Sequence, residues 1–363
     1  MNKPKTMKAG VLYGYKNLTL QEIPVPEPKE NEILLKVGAC GICGSDIRYY
    51  YGENAWALHT LGFNEPTPGA AILGHEVAGT IIQLGTHSYE WQEGNRVGVL
   101  AFKSCGMCEF CLRNLPNLCA FQHHIGHDGR WKEVDYAPGG YSEYMPIWKD
   151  KIFSLPEHVS FIEATQLDGL AVAIHAINRS RLTIGESLVV VGSGAIGLLV
   201  AQVGITLGAG KVMVLDTREK PLNIANQLGI REARKINQDN LKKEIQDFTN
   251  QKGADVIIDT VGTGKTITKS LRSLNRFGRL VLVATTEDEI TIKPTDLAGE
   301  RIITTSANNL YRNYPQAISL LASGKVQTKP FITHVFPLES LGEAFQLALD
   351  KENNDVIKIV LVP

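Results

Sequence analysis

The 363-residue sequence predicts a mixed class, α/β plus β, with a β-rich part interrupted by a doubly wound parallel-sheet domain and then resumed. Three observations predict it. Apolar–polar alternation fills the first third, strand–helix alternation fills the middle, and a glycine fingerprint occupies the first strand–helix turn of that middle part. The length exceeds what one hydrophobic core organises, so two domains are expected. Hydrophobic residues at 44% and charged residues at 21% exclude a disordered chain. Lys and Arg total 37 against 38 acids, a net charge of −1, so nucleic acid and membrane surfaces are not expected partners.

The N-terminal MNKPKTMKAG has no apolar run, so no secretory signal is expected. Residues 8–37 alternate, with Pro24, Pro26 and Pro28 as breaks, and Val77–Leu84 and Arg96–Phe102 read likewise as strands. Frequent glycines between Gly38 and Gly85 mark turns and bulges. The pattern changes after about residue 157. Phe161–Ser180 reads as a helix; the strands SLVVVG, KVMVLD, DVIIDTVG and RLVLVA then alternate with helices, among them PLNIANQLG and residues 266–276. Ser187–Gly210 carries no charge and is long enough to cross a bilayer, yet its six glycines favour strand, tight turn and buried helix. From about Ile303 the alternation stops. Pro315–Ser323 and Leu338–Leu349 read as amphipathic helices, and Val356–Val362 as a closing strand. Residues 1–157 with 303–363 are therefore expected as one domain and 158–302 as the other.

Six cysteines occur, all within the first third. A secreted disulfide scaffold would spread them, so a reducing, cytoplasmic location is expected. Cys105-x₂-Cys108-x₂-Cys111-x₇-Cys119, in a lobe spanning 103–120, supplies four thiolates, which close a tetrahedral zinc shell and make that site structural. An iron–sulfur cluster is the rival reading. Cys40 and Cys43, taken alone, also read as a C-x-x-C redox pair, and a lone His75 as a structural histidine.

Gly192-Ser193-Gly194-Ala195-Ile196-Gly197 follows a strand and opens a helix. Gly192 permits the turn, Gly194 lets backbone approach a pyrophosphate, Gly197 allows close helix–strand packing, and the helix start at Ala195 and Ile196 offers N–H groups to phosphates. Asp216 ends the next strand, nineteen residues beyond Gly197, where a carboxylate accepts hydrogen bonds from a ribose 2′-hydroxyl. It would repel a 2′-phosphate, so NAD is expected over NADP; Arg218 partly offsets that repulsion.

In order along the chain stand Gly-Ile-Cys43-Gly-Ser45-Asp, Gly-His75-Glu76, the four-cysteine lobe, Gly-Gly-Tyr-Ser-Glu-Tyr and G-x-G-x-x-G. This series resembles the zinc-dependent medium-chain alcohol dehydrogenases, and within them the polyol (sorbitol) and threonine dehydrogenase branch. The resemblance spans essentially the whole chain. It implies a GroES-like catalytic domain with an inserted Rossmann domain, an active site in the cleft between them, two zinc ions per chain, and a homo-oligomer, dimer or tetramer. By matching motifs, Cys43 and His75 become catalytic zinc ligands and Glu76 an acid that approaches the metal. The third ligand falls in Glu163–Leu170, where relatives carry Cys or Glu and this chain has Asp168, bound directly or through water. Ser45 matches a hydroxyl that relays the alcohol proton.

The implied activity is oxidation of a secondary alcohol of a polyol, cyclitol or sugar acid, with hydride passed to NAD. A threonine-type amino-alcohol dehydrogenase and a non-catalytic zinc- and nucleotide-binding protein are the alternatives. Arg48 stands where many relatives have His, and a guanidinium is a poor proton shuttle, so it is expected to face a cofactor phosphate or an anionic substrate. Asn309-Leu310 replace the Arg-Tyr pair of sorbitol-type enzymes. Trp56, His59 and Phe63 are expected near the cleft mouth, and His123, His124 and His127 on a loop surface or pocket wall.

Overall fold

The structure, a computed structural model, describes residues 3–65, 70–127, 137–237, 239–351 and 353–363. The chain forms two compact units, Met1–Asp168 with Leu310–Ala322 and Ile332–Pro363, and Gly169–Asn309 with Ser323–Phe331.

In the first unit, alternation becomes sheet. Glu32–Ile42 is the central strand, antiparallel to Glu76–Leu84, to Tyr144–Trp148 and to the C-terminal Lys358–Val362. Arg96–Val99, Ile152–Ser154 and Ile332–Pro337 complete this seven-stranded sheet. A three-stranded sheet of Leu18–Pro24, Thr6–Leu12 and Ala71–Ile72 lies apart from it in hydrogen bonding, although both contribute side chains to one core that includes Ile33, Leu35, Val77, Tyr141 and Ile147. The pairing of Lys358–Val362 with Glu32–Ile42, with Leu361 opposite Cys40, brings the end of the chain beside the Cys43 loop.

The second unit carries six parallel strands in the order Glu232–Lys235, Lys211–Asp216, Ser187–Val191, Ala254–Asp259, Leu274–Leu282, Ile302–Thr305. This is the doubly wound order, and its reversal lies beside the strand that precedes the glycine fingerprint. Strands such as Ser187–Val191 are buried throughout, as a sheet covered on both faces requires. The uncharged stretch from Ser187 resolves into that strand and the helix Ala195–Thr206. No helix among the described residues is long and apolar enough to cross a membrane.

Two elements and the division between the units differ from expectation. Phe161–Ser180 is two helices, Phe161–Ala164 and Leu167–Ser180, because Thr165 Oγ1 bonds the Ile162 carbonyl at 2.7 Å and Gln166 Nε2 bonds Thr165 Oγ1 at 2.8 Å. The helix expected over 266–276 runs Gly264–Leu271, and Leu274 already begins a strand. The units divide at Asp168/Gly169 and Asn309/Leu310, where 157/158 and 302/303 were expected. Phe161 packs on Gly38 and under the Arg96 guanidinium, which holds residues 158–168 to the first unit. Residues 323–331 join the second, where Gln202 exchanges two hydrogen bonds with the Gln327 backbone.

Candidate active site and metal centres

Cys105, Cys108, Cys111 and Cys119 converge, their sulfurs lying within 4.8 Å of one another. The separations are 3.5 Å for Cys108–Cys111, 3.5 Å for Cys105–Cys119 and 3.9 Å for Cys105–Cys111. All four are free thiols. A tetrahedral Zn–S shell with bonds of about 2.3 Å has edges of about 3.8 Å, so the sulfur cage fits zinc. Backbone N–H groups of Cys108, Cys105 and Phe121 point at these sulfurs at 3.4–3.5 Å. Those of Met107 and Cys108 help bring the Cys105 thiol down to about 6, whereas burial pushes Cys119 up to about 12.

A second set, Cys43, His75 and Glu76, offers one sulfur, one nitrogen and one carboxylate oxygen, also within 4.8 Å of one another. Cys43 precedes the helix Gly44–Tyr50, and His75 and Glu76 lie at the entry to the strand Glu76–Leu84. Ser45 Oγ lies 3.4 Å from His75 Nε2. Asp168, at the start of the helix Leu167–Ser180, is not in this convergent set.

Three residues that sequence reading missed hold the set in place. Asp46 is fully buried; its Oδ2 accepts from the Cys43 N–H and from the Tyr141 hydroxyl, both at 2.8 Å, and its Oδ1 faces His75 Nδ1 at 3.4 Å. His75 Nδ1 and Asp46 Oδ1 are buried, with no other hydrogen-bond partner among the described residues. Burial disfavours the His75 imidazolium, but Asp46 and Cys43 outweigh it and raise the pKa well above the ordinary value. Burial likewise opposes the Asp46 carboxylate, and His75 nonetheless holds it below its usual range. A carboxylate behind an imidazole fixes the ring and leaves Nε2 for a metal, so the donor set fits a zinc ion. The third residue is Lys358, whose ammonium donates to both Glu76 oxygens at 2.7 Å and to the Ile42 carbonyl at 3.2 Å. Gly41 makes room for this pair: a Cβ there would lie 2.0 Å from Glu76 Oε2. Asp46 and Tyr141 both stand in motifs singled out in the sequence, Asp46 three residues beyond Cys43 and Tyr141 in Gly-Gly-Tyr-Ser-Glu-Tyr, whereas Lys358 carried no such signal.

Arg48 pairs with Glu53 through Nε at 2.8 Å. Trp56 is buried in the helix Ala55–Thr60, which Asn54 caps, whereas His59 and Phe63 are exposed. His123 is exposed, and His124 and His127 are buried. Asn309 and Leu310 are both buried.

In the second unit Gly192 has φ +93°, and a Cβ on Gly197 would lie 1.9 Å from the Gly192 carbonyl oxygen. Both glycines are therefore required by geometry. Gly194 precedes the helix Ala195–Thr206 with no side-chain cap, which leaves its first N–H groups directed outward at Ala195 and Ile196. Asp216 Oδ2 accepts from Ser193 N at 2.7 Å and Oδ1 from Arg218 N at 2.9 Å, with the Arg218 guanidinium 3.7 Å away. A cavity of about 110 Å³ beside them is lined by Gly192, Asp216, Thr217, Thr263, Lys265 and Lys269.

Residues 29–157 match the alcohol dehydrogenase GroES-like domain and residues 195–323 the zinc-binding dehydrogenase domain. A sorbitol dehydrogenase of Bacillus subtilis (strain 168) is 31% identical over 99% of this chain and 98% of its own length. A 2-dehydro-3-deoxy-L-galactonate 5-dehydrogenase of Pseudoalteromonas atlantica is 30% identical over 93% of this chain and 94% of its own. Two solved structures are each 25% identical with TM-score 0.87, covering 99% of this chain and 100% of theirs. One is an alcohol dehydrogenase of Escherichia coli CFT073 complexed with NADH, the other a zinc-binding dehydrogenase of Sinorhizobium meliloti 1021 bound to NADP. The chain belongs to the zinc-dependent medium-chain alcohol dehydrogenases, in their sorbitol-dehydrogenase-like branch, and is an oxidoreductase.

Proposed function

We propose that the protein oxidises a secondary alcohol of a polyol, cyclitol or sugar-acid-like substrate to the ketone and passes the hydride to NAD. The observation that carries this reading is the convergence of Cys43, His75 and Glu76 with the Ser45 hydroxyl beside them. Zinc, when bound there, polarises a substrate oxygen, and the nicotinamide accepts hydride. Cys43 and His75 hold the ion, Glu76 is the carboxylate donor of the set, and Asp168 reaches the ion only through water. Ser45 Oγ relays the alcohol proton, accepting it as its own hydroxyl proton passes on to water. Arg48 does not extend that relay, because its guanidinium is committed to Glu53. Asp46 keeps the His75 ring oriented, and Lys358 holds the Glu76 carboxylate in place through both of its oxygens.

Cys105, Cys108, Cys111 and Cys119 hold a second, structural zinc, giving two per chain. The pyrophosphate sits on the start of the helix Ala195–Thr206, and the Asp216 carboxylate favours the ribose hydroxyls of NAD over the 2′-phosphate of NADP. The sugar-alcohol and sugar-acid activities in the names of the relatives support the substrate class. Six unpaired cysteines support a cytoplasmic location, and the family supports a homo-oligomer. A spectrophotometric screen of cofactor reduction against polyols, cyclitols, sugar acids and threonine, with NAD and NADP in parallel, tests the proposal. Turnover with a polyhydroxylated substrate and NAD is expected; turnover with threonine alone would overturn it.

A further inference from the structure

Two of the three histidines that follow the four-cysteine lobe belong to a column of rings that ends on a proposed zinc ligand. Phe102–Lys103 pairs with His123–His124 in a register that sets Phe102 opposite His124, so both rings project from one face. The Phe102 and His124 rings stack at 5.6 Å, His124 and His127 at 4.7 Å, and His127 and Tyr49 at 4.2 Å with planes 11° apart. His127 meets His75 edge to face, 5.6 Å between centroids and 79° between planes.

Both planes that enclose His127 are fixed by other contacts. The Tyr49 hydroxyl donates to Asn54 Oδ1 at 2.9 Å and accepts from the Trp56 N–H at 3.1 Å. Gln122 Nε2 donates to the Pro116 carbonyl at 2.6 Å, which leaves its Oε1 to accept from His124 Nε2–H at 2.7 Å. The backbone supports the same contact. Gly126 has φ +85°, and a Cβ there would lie 2.6 Å from Gly74 O and 3.1 Å from His75 N. The segment carrying His127 is therefore pressed against the peptide that joins Gly74 to His75, and it is anchored by Ile125 N to Ala101 O at 3.0 Å and Gly126 N to Pro138 O at 2.7 Å.

We propose that His127 is a positioning residue for His75. Asp46 bounds the His75 imidazole at Nδ1, and His127, wedged between Tyr49 and His124, bounds its ring from another side. Together they leave the imidazole one orientation, with Nε2 turned to the ion. This rests on the reading of Cys43, His75 and Glu76 as zinc ligands.

The test is zinc affinity of the full-length protein, measured by competition with a chromophoric chelator, together with the visible absorption of the site loaded with Co²⁺. His127→Ala is expected to weaken the Cys43–His75 site about 10- to 100-fold, in the range for residues that support metal ligands, and to shift the cobalt bands. The four-cysteine site should be unchanged. His127→Phe keeps a flat ring between Tyr49 and His124 and should restore most of the affinity and the spectrum. Should His127→Ala fail to fold, His124→Leu removes one of the two enclosing planes and is expected to show a smaller loss at the same site. Parental affinity and spectrum in His127→Ala would overturn the positioning role alone, and so would a His127→Phe variant as weak as His127→Ala. A parent that binds zinc only at the four cysteines would overturn the ligand reading and the positioning with it.

Discussion

Lys358 and Glu76 are both almost fully buried, and the ammonium lies 2.7 Å from each carboxylate oxygen. Burial works against the Lys358 ammonium, yet Glu76 raises its pKa, so Lys358 stays charged. Removing one partner strands the other charge in the interior, where desolvation is not offset. Lys358→Met should therefore lower stability by about 3–5 kcal/mol in urea unfolding, and Glu76→Gln on top of it should recover most of that loss. A single variant within about 1 kcal/mol of the parent would contradict this account of the pair. Lys358 was not legible in the sequence as part of the site. Lys358 stands far from Glu76 along the chain, and only antiparallel pairing of the C-terminal strand brings it back. Cys43, His75 and Glu76 were legible because they sit in short motifs with fixed order, and the structure brings them together. Asp168 was named from its motif, at the start of the helix Leu167–Ser180, and is not among the three groups whose donor atoms converge.

At the scale of elements, the strand Leu274–Leu282 is tied to the end of the helix Leu167–Ser180 by one guanidinium. Arg279 donates to the Ser180 carbonyl at 2.9 Å, to the Arg181 carbonyl at 3.1 Å, and to Glu186 through both terminal nitrogens at 2.6 and 2.8 Å. It thereby satisfies helix-end carbonyls that no later turn can reach. Hydrogen bonding to Arg279 lowers the Glu186 pKa below its ordinary 4.5, against the opposing effect of burial. Because the folded value is the lower one, the contribution is fully present above the ordinary glutamate range and is lost as pH falls through the depressed folded value. Glu186→Gln should destabilise by about 1–3 kcal/mol at neutral pH, with the deficit shrinking in acid. Thermal unfolding of parent and variant from pH 7 to pH 3 checks this; a deficit that does not depend on pH would refute it. Element types were legible wherever periodicity ran long, as in Ser187–Val191 followed by Ala195–Thr206. The break at Thr165–Gln166 was not, since it depends on side-chain bonds to nearby backbone and side-chain groups.

For the whole molecule, the two units each close with a segment from late in the chain. The first is completed by Ile332–Pro363, which brings Lys358 to Glu76, and the second by Ser323–Phe331, which Gln202 holds. The interruption of a β-rich part by a doubly wound one was legible from the change of period near residue 157. The precise allotment of late segments was not, because it follows from contacts such as Phe161 on Gly38 and Gln202 with Gln327. The four-cysteine cluster was legible because its cysteines lie close together in sequence, and the structure brings their sulfurs within 4.8 Å of one another. The proposed activity depends on a second ion, held by Cys43, His75 and Glu76. Metal analysis of the parent and of Cys43→Ser, with cofactor reduction followed in the same samples, tests it most directly. Two zinc ions per chain are expected in an active parent, and one zinc ion with turnover abolished in the variant. Two zinc ions retained in Cys43→Ser, or undiminished turnover with one, would contradict it.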